Sequence, residues 1–69
     1  MAFNEQLRAR RQELGLTQKE LANDAGLGVR AIAYLESGQR YPTADTARKL
    51  AEALNTSVDY LLSGADTYI

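Results

Sequence analysis

Arg30 and Tyr34 stand four residues apart, a spacing that puts a guanidinium and a phenol on one face if the segment is helical. Together they offer a planar fork of donors and a hydroxyl that can donate or accept, which suits them to reading a row of hydrogen-bonding edges. Catalytic chemistry is poorly supplied by comparison. The chain has no His and no Cys, so a histidine base, a thiol nucleophile, disulfides and the usual zinc sites are missing. Glu13, Glu20 and Asp24 remain as carboxylates for an acid–base pair, but Glu20 fits a helix cap and the others fit solvated helix faces. No metal or cofactor motif and no Gly-rich phosphate loop occurs. The expectation is no enzyme activity, no cofactor and no metal, with no small-molecule ligand evident.

The elements that must position Arg30 and Tyr34 follow from apolar spacing and punctuation. Phe3, Leu7 and Leu14 fall on one side of a first helix, which Gly15 ends. Thr17-Gln-Lys-Glu20 forms a capping box that starts a second helix at Gln18; it buries Leu21, Ala22 and Ala25 and stops at Gly26. Gly28 is a second-rank N-cap for a short third helix with Val29, Ile32 and Leu35, ended by Ser37 and Gly38. Gln39 to Pro42 is a loop. Thr43 caps a fourth helix with the stripe Ala47, Leu50, Ala51 and Leu54, and Asn55 terminates it. Ser57 caps a last helix running through Leu62, closed by Gly64, with Ala65 to Ile69 as a tail. This is one all-α domain over 1–64 with a tail over 65–69.

Over 69 residues one core is expected. Hydrophobic residues at 45% and charged residues at 25% describe an ordinary globular chain, and no apolar run approaches the roughly 18 residues that span a bilayer. A soluble, cytoplasmic protein is expected. The formal net charge of −1 is unusual for a nucleic-acid binder, so the distribution of charge has to decide. Asp45, Glu52, Asp59 and Asp66 lie in the later helices or tail, whereas Lys19, Arg30 and Arg40 gather around the third helix. Taking Ile32 as the centre of that helix's buried face, Arg30 and Tyr34 point away from the core at about 100° per residue. On the same count Arg11 lies about 40° from Leu7 and Glu36 about 40° from Ile32, so both turn inward and should pair.

The run from Gln18 to Ser37 resembles the helix-turn-helix of the Cro and phage-repressor family, also called the XRE family. Ala22, Gly26 and Ile32 occupy its small, turn and wedge positions: a close helix crossing, a sharp turn and an apolar filler between the two helices. Leu14-Gly15-Leu16-Thr17-Gln18, Leu35-Glu36-Ser37-Gly38 and Ser57-Val58-Asp59-Tyr60-Leu61-Leu62 extend the similarity over Leu7 to Gly64. The resemblance implies a five-helix, lambda-repressor-like DNA-binding domain with helix-turn-helix at helices two and three. It implies base contacts from Val29, Arg30, Ala31 and Tyr34, in which Arg30 would fork onto guanine and the small apolar members would pack on thymine methyl groups. Gln18, at the free amides of the second helix, would clamp a phosphate, with Lys19, Gln39, Arg40 and Arg10 continuing the track. The family also implies the Arg11–Glu36 bridge and a homodimer joined through Val58 and Tyr60, on an approximately palindromic operator of double-stranded DNA.

Each assignment has a plainer competitor. Arg30, Tyr34 and the phosphate-track residues could be solvated surface, and Val58 and Tyr60 could simply complete the core. Tyr68 and Ile69 could belong to a dimer contact, a linker or an unordered end. Two functional classes stay open: a bacterial or phage transcriptional regulator, most simply a repressor, and a protein-interaction module on the same fold. The low charge and the apolar Val29, Ala31 and Ala33 favour keeping the second.

Overall fold

The computed structural model describes residues 2–63, and over them the chain forms five helices: α1 (Phe3–Glu13), α2 (Gln18–Ala25), α3 (Val29–Ser37), α4 (Ala44–Ala53) and α5 (Val58–Ser63). The starts of α2, α4 and α5 are set by short polar side chains that accept otherwise unpaired amides. The Thr17 hydroxyl accepts from Glu20 N–H at 3.0 Å, while the Glu20 carboxylate accepts from Thr17 N–H at 2.9 Å. Thr43 accepts from Thr46 N–H at 3.2 Å and Ser57 from Tyr60 N–H at 3.0 Å. Gly28 caps α3 with no side-chain bond, as a residue without an acceptor must.

The ends of α1 through α4 share one device. At each, a left-handed residue donates one backbone bond and the residue after it donates a second, reaching further back. Gly15, Gly26 and Gly38 take φ of 70°, 70° and 83°, and Asn55 takes 54°. The second bonds are Leu16 N–H to Arg11 O at 3.1 Å, Leu27 N–H to Ala22 O at 2.8 Å, Gln39 N–H to Tyr34 O at 3.0 Å and Thr56 N–H to Ala51 O at 2.9 Å.

That device corrects the expectation for Leu14. The residue sits at the cap of α1, beyond the helical register that would have carried it inward, and is 42% exposed. Leu16, two residues on, is folded back against the core in its place, as Leu27 is after α2. An apolar side chain at the position following the left-handed residue packs under the helix it has just left.

The core joins Phe3 and Leu7 of α1 to Leu21, Ala22 and Ala25 of α2, Ile32 and Leu35 of α3, Leu50, Ala51 and Leu54 around α4, and Leu61 of α5. α3 packs on α1 and α2, while α4 is held by α2 and α5. Gln6 is buried beside Leu7, which the apolar spacing alone did not indicate. Among the described residues no helix is long and apolar enough to cross a membrane. Gly64, Asp66, Tyr68, Ile69 and the rest of the expected tail lie outside the described residues.

Candidate nucleic-acid interface

α2 and α3 pack together, with Ala22 and Ile32 both in the buried core and Gly26 between the helices in the left-handed region. A methyl at Ala22 lets the helix axes approach, and the Ile32 side chain fills the angle between them. The outer face of α3 is thereby held away from the core. Arg30 and Val29 are exposed on it, and Tyr34 is half-buried. Ala31 is also half-buried; it lines a recess of about 140 Å³ with Leu27, Leu35 and Thr46. Tyr34 is covered on one face by Arg40, whose guanidinium carbon lies 5.4 Å from the ring centroid.

Glu36, on the inner side of α3, is the junction of three elements. Its carboxylate accepts from Arg11 Nε at 2.6 Å and Arg11 Nη2 at 3.1 Å, and from Gln18 Nε2 at 3.1 Å. Arg11 Nη1 donates onward to Leu16 O at 2.8 Å. The bridge therefore ties α1, the first turn of α2 and the α1–α2 connection to α3. A buried carboxylate that accepts this many charge-assisted and neutral bonds is satisfied rather than stranded.

Two of the sequence-based assignments look different in this setting. Gln18 does not hold its amide free over the start of α2; one of its N–H groups is committed to Glu36, so the half-buried side chain helps orient the junction. Arg10, expected on the phosphate track, has its guanidinium bonded within the chain. Its Nε donates to Leu54 O at 3.0 Å, its Nη2 to Asn55 O at 3.3 Å and its Nη1 to Glu13 at 3.1 Å. It satisfies the carbonyls that the end of α4 leaves unpaired, where a cation also complements the helix dipole. Arg8, not singled out by the sequence, does the corresponding work for α3: its Nη2 donates to Glu36 O at 3.2 Å. Its position three residues before Arg11 was the available signal.

The basic side chains divide cleanly. Of the eight Lys and Arg residues, Arg8, Arg10, Arg11, Arg48 and Lys49 form ion pairs with Glu36, Glu13, Asp45 or Glu52. Among the described residues Lys19, Arg30 and Arg40 have no carboxylate partner within 4.0 Å. These three sit on the first turn of α2, on the outer face of α3 and in the loop that follows, with the exposed Gln39 beside them. An unneutralised set of donors on and around one exposed helix face is what a polyanion with patterned edges requires. Val58 and Tyr60, on α5, pack against the core yet keep part of their surface in solvent.

The helix-turn-helix family model matches residues 7–61, which take in all of α2 to α4 and most of α1 and α5. The chain belongs to the helix-turn-helix family. It is 39% identical over 62 residues to the HTH-type transcriptional regulator ImmR of Bacillus subtilis, an alignment covering 90% of this chain and 49% of that protein. It thus spans about half the length of that relative. Among solved structures it is similar to the P22 c2 repressor in complex with a synthetic operator, with a TM-score of 0.89, 34% identity and coverage of 94% of this chain and 98% of that one. It is also similar to the restriction-modification controller protein C.AhdI of Aeromonas hydrophila, with a TM-score of 0.84, 35% identity and coverage of 87% and 91%. The all-α fold with helix-turn-helix at α2 and α3 is therefore shared with DNA-binding regulators of this family.

Proposed function

We propose that this helix-turn-helix chain binds double-stranded DNA sequence-specifically as the DNA-binding part of a transcriptional regulator, a repressor working as a homodimer. The observation that carries the reading is the division of charge: the fold neutralises its other cations internally and leaves Lys19, Arg30 and Arg40 open around α3. Arg30 forks onto guanine O6 and N7 in the major groove, Tyr34 meets a neighbouring edge, and Val29 packs on a thymine methyl. Lys19, Gln39 and Arg40 hold the flanking phosphates, and the free backbone amides at the start of α2 add to them. Val58 and Tyr60 support a two-fold contact through α5, which would set two α3 helices about 34 Å apart on an approximate palindrome. The reading assigns the chain no catalysis.

Selection of bound sequences from a random duplex pool at low salt tests this directly. The expected result is an approximate palindrome, with Arg30→Ala losing about 1 to 3 kcal/mol and relaxing one position in each half-site. With three open cations per protomer, the slope of log K against log salt should be no steeper than about −5 for a dimer. Failure of the wild type to enrich any sequence would instead favour a protein-interaction module.

A further inference from the structure

α3 ends in a way that brings the following loop back over the helix it has just left. Gly38 turns the chain at φ 83°, Gly38 N–H donates to Leu35 O, and Gln39 N–H donates to Tyr34 O at 3.0 Å. The Tyr34 carbonyl also accepts from Ser37 Oγ at 3.0 Å. After α1 and α2 the residue at the Gln39 position is a leucine that goes into the core, but here it is an exposed amide. The next side chain, Arg40, lands on the Tyr34 ring at 5.4 Å. Tyr41, beside it, packs its ring against Phe3 of α1 with centroids 5.8 Å apart at 58°, and Pro42 then fixes the backbone. The loop is thus anchored on the outer face of α3 through one residue and on α1 through the next.

We propose that Arg40 is a positioning residue for Tyr34, so that the two read one base position as a unit. The inference rests on the DNA-binding function proposed above and deepens it. Arg40 has no carboxylate partner among the described residues, so the cation–π contact with Tyr34 is what orients it. A guanidinium lying on a ring keeps its N–H donors in its own plane and free to meet a phosphate. Its charge over the ring favours the tyrosine rotamer that keeps this contact. A phenol free to sweep meets whichever acceptor is near; one held in place by a neighbour anchored to α1 offers its hydroxyl to one edge. The ordering cost is met in the free protein instead of on binding. An independent backbone cation weakens binding equally on all sequences, whereas a positioning residue changes discrimination at one position.

The test compares the selected duplex with single-base variants, using the full chain as wild type, Arg40→Lys, Tyr34→Phe, Tyr34→Leu and the double variant Arg40→Lys with Tyr34→Leu. Lysine keeps the charge and loses the planar guanidinium fork. The expected result is an unchanged salt slope for Arg40→Lys with a loss of about 2- to 5-fold in discrimination at the same base pair that Tyr34→Phe relaxes. In the Tyr34→Leu background Arg40→Lys should change that position no further. An upfield-shifted Arg40 Nε proton that returns to its ordinary position in Tyr34→Leu would accompany this. Loss of affinity by one factor on every sequence, relaxation at a different base pair, or no change at all would overturn the inference while leaving DNA binding intact. A wild type that selects no sequence would overturn both, and is read before any variant is made.

Discussion

The Arg11–Glu36 pair between α1 and α3 and the Arg48–Asp45 pair along α4 each close at 2.6 Å. Their side chains are 13% and 3% exposed in the first and 55% and 60% in the second. Coulomb's law at equal distance would value them alike; the surroundings do not. At the junction the partners have already lost water, so each depends on the other, and Gln18 and Leu16 O complete the bonding. Along α4 the same groups keep their hydration, and Asp45 meets Lys49 with its other oxygen at 3.4 Å. One pair specifies how three helices meet, and the other decorates a helix whose position is settled by Ala47, Leu50 and Ala51 beneath it.

The largest expected effect breaks the junction. Glu36→Ala strands a largely buried guanidinium and releases Gln18, and should cost about 3 to 5 kcal/mol of stability. At roughly 4 to 8 °C per kcal/mol for a domain of this size, thermal melting would register it as a fall of well over 10 °C. Replacing both partners by apolar side chains, Arg11→Met with Glu36→Leu, should recover part of that loss because no charge remains buried. A single variant melting with the wild type would erase the contrast between the two pairs.

Much of this arrangement was legible in the sequence because it is local. Thr17, Glu20, Gly26, Gly38, Thr43 and Ser57 set the helix limits through bonds to residues within a few positions, and the helical count placed Arg11 and Glu36 on facing inner sides. What was missed depends on where one element lies relative to another. Arg10 has ordinary helical spacing, and its capture by Leu54 O and Asn55 O requires the end of α4 to arrive 44 residues later. The commitment of Gln18 to Glu36 has the same origin. Leu14 and Leu16 differ for a subtler reason: helical periodicity stops at the cap, and beyond it the geometry of the left-handed turn decides which leucine is covered.

Helix caps should fall between the two ion pairs in effect, since they satisfy backbone groups but stand in solvent. Thr17→Ala removes the bond to Glu20 N–H and leaves the return bond from Glu20 without its counterpart, for an expected loss of about 1 kcal/mol. Thr43→Ala removes a longer bond, to Thr46 N–H at 3.2 Å, and should cost less. Denaturant midpoints at constant slope would rank them, and a Thr43 loss exceeding that at Thr17 would show that the box adds nothing here.

The smallest effect belongs to the α4 surface, and its sign with pH distinguishes it from the junction. The Asp45 carboxyl is held below the usual carboxylate range, first by its bond with Arg48 and then by Lys49. A value lowered in the folded state means that folding favours the ionised form. The contribution is therefore fully present above the unfolded value and disappears as the pH falls through the lowered one. Arg48 is raised by the same contact, and its share would be lost only in strongly basic solution. Asp45→Asn should then lower the melting temperature slightly at neutral pH and low salt. The difference from wild type should close below the carboxylate range, and close again at neutral pH in 1 M salt, where screening acts over about 3 Å. The loss in Glu36→Ala should persist in that salt, because solvent ions do not enter the junction. A salt-insensitive loss in Asp45→Asn would place the α4 pair with the junction and leave burial without its deciding role.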